Sequence, residues 1–211
     1  MEISERALGH FNEFMNKIES ETYPETPSQL HTQLTEETLV DMIRVASLTP
    51  GSMILDVGCG QGPALSFFAK HGMSPIGITL NDEDVRICRE KGFNVLKMDQ
   101  SFLEFEDKTF DFIWARHCME HSIFPFFTLW QFNRVSKIGA WLYIEVPGPE
   151  TGAQHETNLN HYSVLGRSAW VSLIRRSGYE LLFTGDLNLD LTAEMKDVYY
   201  NFIAKKVKDC R

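Results

Sequence analysis

Apolar residues recur at three- and four-residue steps through Ile3, Ala7, Phe11, Phe14 and Ile18, which predicts a helix over residues 3–20. Tyr23-Pro24-Glu25-Thr26-Pro27 interrupts that period with two prolines and reads as a linker. Leu39, Ile43 and Ala46 share one face behind the acids Glu36 and Glu37, predicting a second helix over 36–47. After Pro50-Gly51 short apolar runs take over: 53–57, 75–79, 93–98, 110–115 and 140–146. Helical periods lie between them, over 64–70, from Asp82 to Lys91 and over 124–135, and a last one covers 165–177. Gly72, Gly92, Gly139 and Gly178 stand where these helices would stop, since a helix commonly ends in a left-handed residue that glycine adopts without strain.

Strands that are apolar on both faces and alternate with helices imply a parallel sheet covered on both sides, an α/β fold. The ending breaks this rule. Tyr179–Thr184 and Val198–Val207 are strand-like with no helix between them, and two strands joined without a crossover pair antiparallel. The expected organisation is an N-terminal helical extension over 1–34 followed by a single α/β domain over 35–211.

Composition narrows the function. With 211 residues there is room for one substantial core, and 29 acids against 20 bases give a net charge of -9. That balance, without a basic patch, argues against nucleic-acid partners. No signal-peptide layout and no membrane-spanning run is present, and Cys59, Cys88, Cys118 and Cys210 form no C-x-x-C pair. A cytoplasmic location with free thiols is the expectation.

The chemistry centres on Ile54-Leu55-Asp56-Val57-Gly58-Cys59-Gly60-Gln61-Gly62-Pro63: a strand carrying an acid at its end, three alternating glycines, then a helix opened by proline. Backbone N–H groups at such a helix start face a ligand that glycine lets approach closely. The spacing resembles motif I of the class I S-adenosylmethionine (SAM)-dependent methyltransferases, and the grammar of strands over 35–207 resembles their fold. The resemblance implies a Rossmann-like, doubly wound, seven-stranded sheet of order 3-2-1-4-5-7-6 with an antiparallel last strand. It also implies SAM as cofactor and S-adenosylhomocysteine (SAH) as product.

In such a sheet ligands bind beyond the C-terminal strand ends. The resemblance then places Asp56 near the methionine part of SAM, with Gly58, Cys59, Gly60 and Gly62 against the cofactor. Gly77-Ile78-Thr79-Leu80-Asn81 resembles the cyclopropane fatty acid synthase and small-molecule C/O-methyltransferase branch, in which Thr79 stands where an acid usually takes the ribose. Asn81 is equally a ribose ligand or the N-cap of the next helix. Asp99, with Gln100 and Ser101, implies adenine contacts, and Arg116 and His117 border the cofactor. Gln29 and His31 are further candidates to face it.

His117-Cys118-Met119-Glu120-His121 also matches H-x-x-E-H, the inverted zinc-protease signature, with Glu194 as a third ligand. Against this, Phe110-Asp111-Phe112-Ile113-Trp114 leads straight into it, resembling the family's post-strand-four motif, and no resident metal is expected. From Pro147 to about Asn160 the chain has no period yet leaves the ligand-binding edge, so with His161 and Tyr162 following, about 147–162 is expected as a substrate loop. It carries His155 and His161; with His121 these are the candidate general bases, since imidazole titrates near neutral pH. His121 also reads as a packed residue and His161 as part of a hydrated lid, with Ser163 the cap of the following helix. The aromatics Phe124, Phe126, Phe127, Trp130 and Phe132 surround their helix and read as core, as a substrate wall or as the surface of a homodimer.

The expectation is an enzyme that moves a methyl group from SAM to a small-molecule acceptor by in-line displacement. A non-catalytic SAM-binding regulatory subunit and a zinc hydrolase are the alternatives.

Overall fold

A computed structural model describes residues 3–24, 26–190 and 196–210; Glu25 and Glu194 lie outside them. The elements run α1 (Glu5–Ser20), α2 (Gln29–Val45), β1 (Met53–Val57), α3 (Pro63–Lys70), β2 (Ser74–Thr79), α4 (Asp82–Glu90), β3 (Val95–Lys97), β4 (Phe110–Arg116), α5 (Pro125–Val135), β5 (Ser136–Pro147), α6 (Arg167–Arg176), β6 (Tyr179–Asp190) and β7 (Lys196–Lys206). The strands form one sheet of order β3-β2-β1-β4-β5-β7-β6. All pairs are parallel except those of β7, which is antiparallel to both β5 and β6. This is the topology the family resemblance implied.

Side-chain alternation sorts the core into two layers. Phe112, Trp114 and Tyr143 pack with Leu39 and Met42 of α2 and Phe67 and Phe68 of α3 on one face. Ile113, Ala115, Leu142 and Ile144 pack with Phe132 of α5 and Trp170 and Ile174 of α6 on the other. Because β1 and β4 are central, their C-terminal ends open between the layers, which is where a parallel sheet of this order places its ligand.

Several elements differ from the sequence reading for identifiable reasons. Helix α2 begins at Gln29, seven residues ahead of Glu36, because Ser28 caps it by accepting the His31 N–H. Strand β3 is only three residues long, and Phe93 instead packs against Cys59, Leu65 and Cys88. Gly139 does not end a helix. Strand β5 follows α5 directly, and Gly139, at φ +85°, lies where the β4–β5 register slips. The glycine stop therefore holds at Gly72, Gly92 and Gly178, at φ +76°, +83° and +84°. Helix α6 starts at Arg167 with Gly166 at its cap. Ser163 is instead buried, donating its hydroxyl to the Ser122 carbonyl and its N–H to that of Glu120.

The apolar stripe of α1 is only partly used: Ile18 is buried, while Phe14 is 42% exposed. Of the aromatics on and just before α5, Phe132 is core, and Phe124, Phe126 and Phe127 are exposed at 37–39%. Among the described residues no helix is long and apolar enough to cross a membrane.

Candidate active site

Asp56 sits inside β1, in register with Gly77 and Trp114, and is 2% exposed. The sequence reading put it at the end of the strand; β1 runs one residue further, to Val57, and Asp56 is buried. Its Oδ2 is buried with no hydrogen-bond partner, and burial pushes its pKa well up. A buried carboxylate oxygen left unmatched is costly, so its persistence points to a ligand donor.

The chain then turns through Gly58, Gly60 and Gly62 at φ +66°, +47° and +84°. At Gly58 a Cβ would meet the Cys118 Cβ at 2.7 Å, so only glycine lets this backbone pass the end of β4. Two clefts meet along this turn, both lined by Gly58, Gly60 and His117. The first continues past Ile78–Asn81, Met98–Gln100 and Cys118. The second continues past Asp56, Cys59, Gln61, His31, Thr35 and Arg116.

Within the first cleft Thr79 accepts the Asn81 N–H, and Asn81 caps α4 by accepting from Glu83 and Asp84. Of its two roles the cap is thus filled, while the residue still lines the cleft. Asp99 receives the Ser101 N–H at 2.7 Å, and burial raises its pKa. Gln100 donates to the Cys118 carbonyl, leaving its buried Oε1 with no hydrogen-bond partner. Ser101 lies behind the wall, its hydroxyl bonded to Thr128, and does not line the cleft. Gln29 lines neither cleft; His31 does, its ring edge-on to His117.

A charged network that sequence reasoning missed closes the far side. Glu145, 1% exposed near the end of β5, accepts from His117 Nε2 at 2.8 Å on one oxygen and from the Tyr143 hydroxyl on the other. It also forms an ion pair with the Arg116 guanidinium, whose Nε lies 2.8 Å away without a well-formed hydrogen bond. Burial opposes its charge, but the His117 hydrogen bond and the Arg116 guanidinium hold its pKa down at about 2. Burial lowers the His117 pKa to about 4, so it is a neutral donor to Glu145 at pH 7. An acid inside the apolar run Tyr143-Ile144-Glu145-Val146 was the available signal.

Three further candidate histidines, His121, His155 and His161, group at the third side of the first cleft. His121 lines the cleft beside Asn160 and Tyr162. Its Nδ1 bonds the Asn160 carbonyl at 2.8 Å, which makes Nδ1 the protonated nitrogen and leaves the Nε2 lone pair available. Burial lowers its pKa. His161 meets His121 edge to face at 4.8 Å, and burial and the neighbouring histidines lower its pKa to about 4. His155 stacks on His161 and donates through Nε2 to buried Asp197, at 2.8 Å. Neither His155 nor His161 lines the cleft itself.

The zinc-protease arrangement is not formed. Its signature residues do not share a helix: His117 is at φ +53° and bonded to Glu145, and Met119–His121 is one 3-10 turn. The cleft has a roof: Ile18, Thr22 and Tyr23 from the end of α1 line it opposite Asn160 and Tyr162. Asn160 donates to the Glu21 carbonyl, and Lys97 at the end of β3 pairs with Glu19 at 2.6 Å, so α1 is tied down on both sides.

A methyltransferase-domain family model matches residues 30–194. The chain is 26% identical over 185 residues to a ubiquinone biosynthesis O-methyltransferase of Hahella chejuensis, covering 80% of this chain and 75% of that one. It is 37% identical over 100 residues to 24-methylenesterol C-methyltransferase 2 of Arabidopsis thaliana, covering 42% of this chain and 27% of that protein. In fold it is similar to a SAM-dependent methyltransferase of Methanosarcina mazei (TM-score 0.65, 22% identity, 78% of this chain and 97% of that one).

Proposed function

Because the chain belongs to the class I SAM-dependent methyltransferases, we propose that it methylates a small-molecule acceptor bound beside His121, under the roof formed by α1 and residues 147–162. The observation that carries this reading is the continuity of the two clefts through Gly58, Gly60 and His117, with an unmatched carboxylate oxygen, Asp56 Oδ2, on the second. The donors and acceptors present fit SAM. Asp56 would take its ammonium, the glycine turn would lie against its methionine part, and Thr79, Leu80 and Asn81 would face the ribose. Asp99 and Gln100 Oε1 would accept from the adenine amino group, with Cys59 and Arg116 supporting the methionine side and Ser101 fixing Asp99 through its N–H.

SAM supplies an electrophilic methyl group on a sulfonium. The protein's own task is then alignment and exclusion of water, because an in-line displacement gains most from positioning. The α1 roof and the 147–162 segment exclude water. His117, held by Glu145, forms the wall where the clefts join. His121 presents its Nε2 lone pair to the acceptor, and His161 and His155, the latter held by Asp197, pack behind it and fix its ring. Its matched relatives include both O- and C-methyltransferases.

Calorimetric titration with SAM and SAH tests the cofactor, and a screen of small acceptors with methyl-labelled SAM tests the transfer. Saturable binding of both ligands and label in a small-molecule fraction are expected. A folded protein that binds neither ligand would sink the reading; binding without transfer to any acceptor would favour the regulatory subunit.

A further inference from the structure

Glu120, His121 and His161 form a cluster that the cofactor reading does not use. One ligand atom from each lies within 4.8 Å of the others. The cluster is assembled across the fold: Glu120 and His121 belong to the 3-10 turn after β4, and His161 arrives from the far end of the 147–162 segment. The Ser163 N–H bonded to the Glu120 carbonyl and the Ser163 hydroxyl bonded to the Ser122 carbonyl pin that end in place.

We propose that these three side chains bind a divalent transition-metal cation that holds an oxygen of the acceptor. This rests on the methyltransferase reading above and deepens it: His121 lines the acceptor end of the cleft, and its Nε2 lone pair meets the acceptor through the cation rather than directly. Two imidazoles and one carboxylate match the ligand preference of zinc, manganese, iron or cobalt better than that of magnesium or calcium. At bond lengths of about 2.1 Å, ligand atoms of a tetrahedral site are about 3.4 Å apart, so side-chain rotations that draw the three atoms inward by about 1 Å close the set. The support around it is also that of a metal site. His121 donates its other ring nitrogen to the Asn160 carbonyl, the contact that orients a ligating imidazole. His161 Nδ1 is buried without a well-formed hydrogen bond, beside the His155 backbone, and its Nε2 is 3.3 Å from Asn158.

Three protein ligands leave coordination positions for water and for the acceptor. A hydroxyl there loses its proton more readily. The proton passes to water, the new O–CH3 bond forms as the S–CH3 bond of SAM breaks, and SAH leaves as a neutral thioether. The cation thus assigns the acceptor to oxygen nucleophiles.

The test titrates the full-length protein, dialysed against chelator, with MnCl2 followed by electron paramagnetic resonance and with CoCl2 followed by visible absorption. SAH affinity is measured by calorimetry on the same samples. One manganese per chain is expected, with cobalt bands of a histidine-ligated site. His161→Ala and His121→Gln should each weaken manganese binding at least about tenfold while SAH affinity stays within about threefold, which also reports that the variants are folded. Glu120→Gln serves if either histidine variant fails to fold. No stoichiometric manganese, or stoichiometric binding that survives these substitutions, overturns the cation site. SAH binding without manganese leaves the methyltransferase reading standing, whereas wild-type protein that takes manganese but not SAH supports the site and removes that reading.

Discussion

Replacing Asp56 by Asn separates a ligand-binding role from a structural one. Asp56 is 2% exposed, its Oδ2 has no hydrogen-bond partner, and burial raises its pKa well above the usual carboxylate value. A group whose folded pKa is raised contributes stability below its unfolded value, near pH 4, and loses that contribution as pH rises. At pH 7 the unliganded protein therefore carries a penalty at this position, either for an ion without solvent or for a retained proton. Asn has the same shape and carries neither cost.

The unliganded Asp56→Asn protein should accordingly be as stable as wild type or more so by about 1–2 kcal/mol, the scale of one poorly satisfied buried group. For a chain of this size that is a rise in Tm of about 2–8 °C. Ligand binding should move the opposite way. A hydrogen bond between the carboxylate and an ammonium is worth about 1.5–3 kcal/mol, so SAH should bind roughly 10- to 150-fold more weakly. Scanning fluorimetry gives the first quantity and calorimetry the second. SAH affinity within twofold of wild type would refute the placement of the ammonium at Asp56. A Tm that falls along with affinity would make Asp56 a structural residue instead.

Three further outcomes follow from the same geometry. Gly58→Ala places a Cβ 2.7 Å from that of Cys118 at a residue with φ +66°, so SAH binding should be lost and stability should fall by about 1–3 kcal/mol; undiminished SAH-induced thermal shift would contradict the glycine turn as cofactor wall. His121→Ala should lower the turnover of any identified acceptor about 10²- to 10⁴-fold with SAH affinity nearly unchanged, and an unchanged kcat would remove His121 from the chemistry. The His117 pKa is lowered to about 4, so its neutral form stabilises the fold fully above pH 6.5 and this contribution, about 3 kcal/mol, is lost as pH falls from 6.5 to 4. Glu145, held at about 2, adds a second loss below its unfolded value of 4.5. His161, also lowered to about 4, contributes to the same range, so denaturant titrations should show a decline in wild type that is smaller by about 3 kcal/mol, not absent, in His117→Gln.

How much of this was legible in the chain depends on how local each feature is. The parallel sheet with an antiparallel end was legible from strand–helix alternation and the crossover-free β6–β7 pair, because the period of apolar residues and the lack of an intervening helix are local signals, while the strand order came from the family resemblance. The glycine turn is local too: Gly58, Gly60 and Gly62 mark positive φ wherever the strand ends. Element edges were less legible because they are decided by single competing contacts. Ser28 begins α2 well before the acids of its second and third turns, and Gly139 serves a register slip between β4 and β5 that no pattern in β5 alone announces.

The acceptor side shows the opposite limit. Sequence singled out His121, His155 and His161 but had no means of placing them together, because the chain between Ser122 and His155 contains a whole helix and strand. What joins them is tertiary: Ser163 bonded back to residues 120 and 122, Asn160 accepting from His121, and Asp197 on β7 holding His155. The H-x-x-E-H signature was therefore half informative. His117 is withdrawn from it by Glu145, while Glu120 and His121 gain His161 from the other end of the 147–162 segment. A motif read along the chain supplied two residues of the cluster, and the third depends on the long segment returning to the end of β4. The placement of Ser163 is consequently a test of the whole arrangement. Ser163→Ala should leave SAH binding in place, because neither cofactor cleft is lined by it, yet loosen His161 and reduce acceptor turnover; equal turnover in this variant would show that the three histidines do not act as one unit.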